Sequence, residues 1–209
     1  KGDNKIEKYA TLNFLYTAKE YGKTIPKVIL DEMDKLPKED YGKKFDELWG
    51  SKTQDYVSAF TKDDNIVIFS YGIFNKETKW KKEKFKEALI HEISHLFYQE
   101  LRDDEYDPLW LSEGLATFIQ HDKKKFNYKE KLKIKKEILN ISFENMTIES
   151  YQIFTLFVEY LILEFGEDKI LKLIQCLREG EKLNNSFNKI YKKSFDELIE
   201  DGNRYHKIT

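Results

Sequence analysis

The sequence is short of several things, and each shortage removes a class of protein. It holds one cysteine, Cys176, so no internal disulfide can form and a disulfide scaffold is excluded. Three prolines and nine glycines in 209 residues are too few for long irregular loops or for an all-β fold rich in turns. No uncharged stretch exceeds the 11 residues from Asn65 to Asn75, whereas a membrane-spanning helix needs about 20 apolar residues. Net charge is also nearly absent. The 36 Lys and Arg stand against 38 Asp and Glu, leaving -2, which argues against general nucleic-acid binding.

What is present is a globular composition. Aromatic residues make up 15% of the chain, far too many for a disordered one, and the length fits one domain with at most a small added lobe. Only three basic residues are arginine: Arg102, Arg178 and Arg204. The load of Lys, Asn and Ile suggests an AT-rich genome. The chain starts at Lys1 rather than Met, which leaves open a removed signal segment or a trimmed end.

Periodicity predicts a mostly helical chain with a small sheet in its first third. Asn4 to Tyr21 has amphipathic helical spacing closed by Gly22, and Thr24 to Trp49 reads equally as helix or short strand. Residues 1–50 read as an N-terminal helical or support segment, either within the same domain or serving as a substrate lobe or an inhibitory segment. Tyr56 to Phe60 and Asn65 to Ser70 read as a hairpin or neighbouring strands about Lys62-Asp63-Asp64. Thr78 to Leu101 turns helical, with Trp80, Phe85, Leu89, Ile93 and Leu96 as core candidates. An acidic loop, Asp103 to Asp107, follows, and Pro108 opens a helix to about His121. Further helices are expected over Tyr128 to Leu139, Ser150 to Phe165 before Gly166, Asp168 to Leu177 and Ser194 to Tyr205. The expected class is α+β, predominantly helical, with a small antiparallel or mixed N-terminal sheet and a helical C-terminal part.

The chemistry lies in His91-Glu92-Ile93-Ser94-His95, an HExxH pattern. Helix positions four apart share a face, so both imidazoles can reach one cation, at about 2.0–2.1 Å for zinc. Glu92 is about 100° further round, beside the metal rather than on it. That is where a base must be to take a proton from water on the metal. The ordinary alternative is a charged, solvated helix face. Ala88-Leu89-Ile90 before and Leu96-Phe97 after argue against it, because they mark a buried segment, and burying two His and a Glu without partners is costly. A catalytic zinc takes three protein ligands and keeps one position open. The third is suggested 18 residues after His95, where Glu113 stands in Leu109-Trp110-Leu111-Ser112-Glu113-Gly114-Leu115-Ala116. The connection from Arg102 to Pro108 is short enough to bring this second helix back beside the first, and Gly114 would allow a close approach.

HExxH followed by Trp-Leu-x-Glu-Gly-Leu-Ala resembles the gluzincins, zinc peptidases with two His and one Glu as ligands, which include the thermolysin-like and aminopeptidase N-like enzymes. The chain is most similar to small bacterial peptidase MA-like domains, with Tyr151 to Leu161 and Phe165-Gly166 matching their later helix. The resemblance covers roughly Ala59 to Tyr205, strongest at 88–118. It implies a zincin-like fold over a domain of residues 51–209 and zinc-dependent hydrolysis of peptide or protein substrates. It implies His91, His95 and Glu113 as metal ligands and Glu92 as general base and acid. It implies a Tyr donor to the oxyanion, for which Tyr151 is the candidate and Tyr160 and His206 are weaker ones.

Two departures qualify this. Thermolysin-like enzymes carry an Asp where this chain has Thr117, with Gln120 a possible substitute on the same face. The Gly-Ala-Met-Glu-Asn segment of aminopeptidase N-like enzymes is absent, so an endopeptidase is the better reading. Asn65 to Ser70 is a candidate edge strand for an extended substrate. Cys176 reads as core. The alternative function is a catalytically silent gluzincin-like binding module. A peptidase that cuts unfolded chains is a hazard in the cytoplasm, so export, with the protein secreted or membrane-tethered, is expected over a cytoplasmic location.

Overall fold

A computed structural model describes residues 59–62, 65–68, 81, 84–102, 107–121 and 132–207. The helix expected over 4–21, the segment 24–49, the start of the first strand, Trp80 and most of the acidic loop lie outside them. The described residues are predominantly helical. Ala59–Lys62 (β1) and Asn65–Ile68 (β2) pair antiparallel, with Ala59 opposite Ile68 and Lys62 opposite Asn65. Among the described residues seven helices follow: α1 Phe85–Arg102, α2 Leu109–Gln120, α3 Lys136–Leu139, α4 Ile148–Phe165, α5 Glu167–Arg178, α6 Leu183–Tyr191 and α7 Phe195–Tyr205. A single 3-10 turn, Phe143–Asn145, precedes α4. None of the described helices is long and apolar enough to cross a membrane.

The chain divides into two compact units, and the boundary falls inside α1, between Leu96 and Phe97. Of the described residues, β1, β2 and the larger part of α1 belong to the first unit. The end of α1 and all later helices belong to the second.

In the second unit α4 is the spine. Its start is fixed by Thr147, whose hydroxyl accepts from Ser150 N while the Ser150 hydroxyl accepts from Thr147 N. Such caps stabilise a helix by about 1 kcal/mol. Its end is fixed by Gly166, whose φ of 89° is open only to glycine at little cost. α2 lies along α4 in the most extensive helix pair described, and α3, α5 and α7 also pack on α4. The core forms where they meet. Trp110 of α2 stands edge-on to Phe157 of α4 at 5.0 Å and stacks on Phe187 of α6 at 6.1 Å. Phe187 in turn stacks on Phe195 of α7 at 5.1 Å. Each of these large side chains is buried, and each stabilises the unit by about 1.5–3 kcal/mol.

Two expectations are corrected here. The helix expected over Tyr128 to Leu139 is only the single turn Lys136–Leu139 among the described residues; residues 132–135 carry no helix. The reason is tertiary: the Asn203 carboxamide pairs with both backbone groups of Ile134, holding it out of a helical ladder. The helix Leu183–Tyr191 is an addition to the expected set.

Candidate metal centre

The 18-residue α1 carries the HExxH segment in its interior, where the helical ladder is unbroken on both sides. His91 is half-buried, whereas Glu92 and His95 are 6% and 4% exposed. The Ser94 hydroxyl donates to the Ile90 carbonyl at 2.8 Å, so it is occupied within its own helix. The two imidazoles meet edge to face, with ring centres 4.8 Å apart and planes at 78°. Their Nε2 atoms lie 3.1 Å apart. Two nitrogens about 2.0–2.1 Å from one tetrahedral ion would be about 3.3–3.4 Å apart. The pair is therefore already set, within a few tenths of an ångström, for a shared cation.

The deepest face of α1 is not the expected one. Phe85 is fully buried as anticipated, but Leu89, Ile93 and Leu96 are only half-buried. Ser94 and Tyr98, at 1% exposure, are deeper, and so are Glu92, His95, Gln99 and Arg102. Gln99 and Arg102 went unnoticed in the sequence, although their spacing of four and seven from His95 puts them on its face. The Arg102 guanidinium donates to the Asp107 carbonyl at 3.0 Å, tying the end of α1 to the residue before Pro108, where α2 is capped.

α2 is apolar nearly all round, and every residue from Trp110 to Ala116 is buried. That is the pattern of a helix inside a core. Glu113, at 5% exposure, is its one acid. A carboxylate in such a place is costly unless a cation or donors meet it. Among the described residues His91, His95 and Glu113 form a group that could hold a metal ion, with one ligand atom from each and all of these within 4.8 Å of one another. Two imidazoles and a carboxylate are a donor set that suits zinc and leaves a fourth position open.

Gly114 permits a close approach, as expected, but the helix it admits is α4. A Cβ built on Gly114 would lie 2.7 Å from the Phe154 carbonyl oxygen and 2.7 Å from Val158 Cγ2.

The other candidates fall on the C-terminal helices. Tyr151 stands half-buried in the first turn of α4, and its carbonyl accepts from the Thr155 hydroxyl at 2.7 Å. Tyr160 is a core residue, 5.6 Å from both Phe165 and Tyr205. Burial pushes its phenol well above the ordinary range, with Asp201 and Glu164 adding to the effect. His206 is engaged at the end of α7, with Nε2 2.9 Å from the Leu156 carbonyl and Nδ1 3.9 Å from the buried Glu159 carboxylate. Gln120 is the last residue of α2 and half-buried. Cys176 is buried on α5 as expected, and burial raises its thiol pKa.

Residues 52–205 match the family model of the peptidase MA superfamily. The chain belongs to that superfamily. No curated protein and no solved structure matches it. Peptidase MA membership supports a peptidase, and members are typically metal-dependent. The matched span takes in α1 with its two histidines and α2 with Glu113, and it ends where α7 ends.

Proposed function

We propose that this chain is a zinc-dependent endopeptidase of the gluzincin type. The observation that carries the reading is the ligand group itself: His91, His95 and Glu113 within 4.8 Å, with the two Nε2 atoms 3.1 Å apart. In this reading His91 and His95 would hold zinc through their imidazoles and Glu113 through its carboxylate. Zinc, when bound there, supplies a Lewis acid that lowers the pKa of water to about 7. Glu92 is next to a ligand in sequence, buried, and outside the ligand group. Its carboxylate accepts a proton from the attacking water and delivers it to the leaving amine nitrogen. Tyr151 donates its phenol O–H to the oxyanion that develops on the peptide carbonyl.

The substrate is an extended peptide or unfolded protein, with the strand at Asn65–Ile68 offering backbone groups for pairing. Residues 51–209 form the zincin-like peptidase domain and residues 1–50 a supporting segment. A protease of this kind works outside the cytoplasm, secreted or tethered to a membrane, where unfolded chains of the host are not at risk.

Glu92→Gln tests the mechanism. It should retain one zinc per chain by elemental analysis and lose hydrolysis of an unfolded protein substrate by about 10²–10⁴-fold. Full activity in this variant would refute the role of Glu92. Wild-type protein that binds zinc and cleaves nothing across a broad peptide library would refute the peptidase reading.

A further inference from the structure

Gly114 offers no ligand atom, yet its place constrains one that does. Glu113 and Gly114 are consecutive on α2, so their directions differ by about 100° around the helix axis. Once the Gly114 face is seated on α4, the direction of the Glu113 side chain is set. The seat is close: the two nearest atoms to an added Cβ, at 2.7 Å, belong to the backbone carbonyl of Phe154 and to the side chain of Val158. Neither neighbour yields easily. The carbonyl is in the middle of α4, and Val158 is a fully buried β-branched residue with a stiff χ1. α4 is itself held by its N-terminal capping box and by α3, α5 and α7.

We infer that α4 is the positioning element for the Glu113 ligand, and that the seam of Gly114 with Phe154 and Val158 sets how far the Glu113 carboxylate reaches. The inference rests on the metal reading above. Carbon contacts settle at about 3.5–4.0 Å, so a methyl group at position 114 displaces α2 from α4 by about 1 Å. Metal–ligand distances tolerate only about 0.2 Å. The displacement therefore outruns what the coordination can absorb, even while the helices remain folded. Val158 and Gly114 are positioning residues in this account; neither touches the metal.

The test compares Gly114→Ala, Val158→Ala and the double variant with Ile174→Val, a trim of a buried side chain on α5. Far-UV circular dichroism and melting temperature report the fold. Zinc affinity by chelator competition and the visible spectrum of the cobalt-loaded protein report the ligand geometry. Gly114→Ala should lower zinc affinity at least tenfold and alter the cobalt bands. Val158→Ala should lower affinity about threefold, and the double variant should recover part of the Gly114→Ala loss, because one of the two clashes is gone. Ile174→Val should lower the melting temperature and leave affinity and spectrum unchanged.

Wild-type affinity and cobalt bands in both seam variants would overturn the inference and leave the seam purely structural. If Gly114→Ala fails to fold, Val158→Ala against Ile174→Val decides by the same two readouts. Wild-type protein that takes up neither zinc nor cobalt would overturn the metal reading, and this inference with it. Metal binding that the seam variants do not disturb would overturn this inference alone.

Discussion

Replacing Asn203 by alanine should destabilise the protein by about 2–6 kcal/mol, because its side chain closes two buried backbone groups at once. The carboxamide is 7% exposed on α7, and Ile134, 69 residues earlier in the chain, is 1% exposed. Asn203 Oδ1 accepts from Ile134 N at 2.8 Å, and Nδ2 donates to the Ile134 carbonyl at 3.0 Å. The alanine variant leaves both groups of Ile134 unmet, at about 1–3 kcal/mol each. Water entering the vacated space would bring the sum toward the lower end. Urea slopes run at about 1–3 kcal/mol per molar and rise with chain length; at about 3 for a protein of this size, the unfolding midpoint should fall by about 0.7–2 M.

Asn203→Asp sharpens the test because its effect has a sign. Aspartate keeps the acceptor for Ile134 N but sets a carboxylate oxygen against the Ile134 carbonyl. Protonation restores a donor there, so the folded state favours the neutral acid and raises its pKa above the unfolded value of about 3.9. A raised folded pKa means that the folded state binds more protons. Stability of this variant should therefore rise as the pH falls from 7 toward 5, measured by urea unfolding at the two pH values. An alanine variant within about 0.5 kcal/mol of wild type, or an aspartate variant that weakens on mild acidification, would refute the clamp.

Two further outcomes are expected. Tyr151→Phe removes only a hydroxyl and should lower kcat by about 10²–10³-fold while zinc content and KM hold; an unchanged kcat would remove Tyr151 from the chemistry. Asp201 has the opposite pH sense to the engineered aspartate: its hydrogen bond from Lys193, at 2.6 Å, holds its carboxyl below the ordinary range, with Arg204 adding to the effect. The stability it contributes is present above about pH 4 and lost as the pH falls through the folded pKa, so Asp201→Asn should flatten the acid limb of a melting-temperature profile between pH 5 and 2.

Elements bounded by strong local chemistry were legible in the sequence. Pro108 marked the start of α2, Gly166 the end of α4, and Ser194 the cap of α7, where its hydroxyl accepts from Glu197 N. Elements decided by distant partners were not. Nothing local in Leu132 to Lys135 announces that Asn203 will pair with Ile134. In α6, Asn184-Asn185-Ser186 reads as a polar link, and only the burial of Phe187, Ile190 and Tyr191 makes the segment worth coiling. Gly114 shows the same limit on a finer scale. A glycine beside a ligand announces a close approach without saying which helix approaches, and the structure brings α4.

In α1 the most deeply buried positions are largely polar. Hydrophobic periodicity selects Phe85, Leu89, Ile93 and Leu96, yet Ser94 and Tyr98, at 1% exposure, and Glu92, His95, Gln99 and Arg102 are buried more deeply than the last three of these. Phe85, Glu92, His95, Gln99 and Arg102 are seven, three, four and three apart, which is one face of a helix, and Ser94 and Tyr98 widen it on one side. A helix selected for stability alone would fill such a face with Leu or Ile, since each buried polar group must recover its desolvation through a partner. A catalytic base and metal ligands gain from the same burial, because charge acts more strongly where water is excluded. The apolar pattern therefore misses the polar residues of a helix that, in the proposed reading, carries a base and two metal ligands. Of the HExxH residues, Glu92 and His95 are buried and His91 is half-buried, so the motif and the apolar stripe each capture part of what the helix encloses.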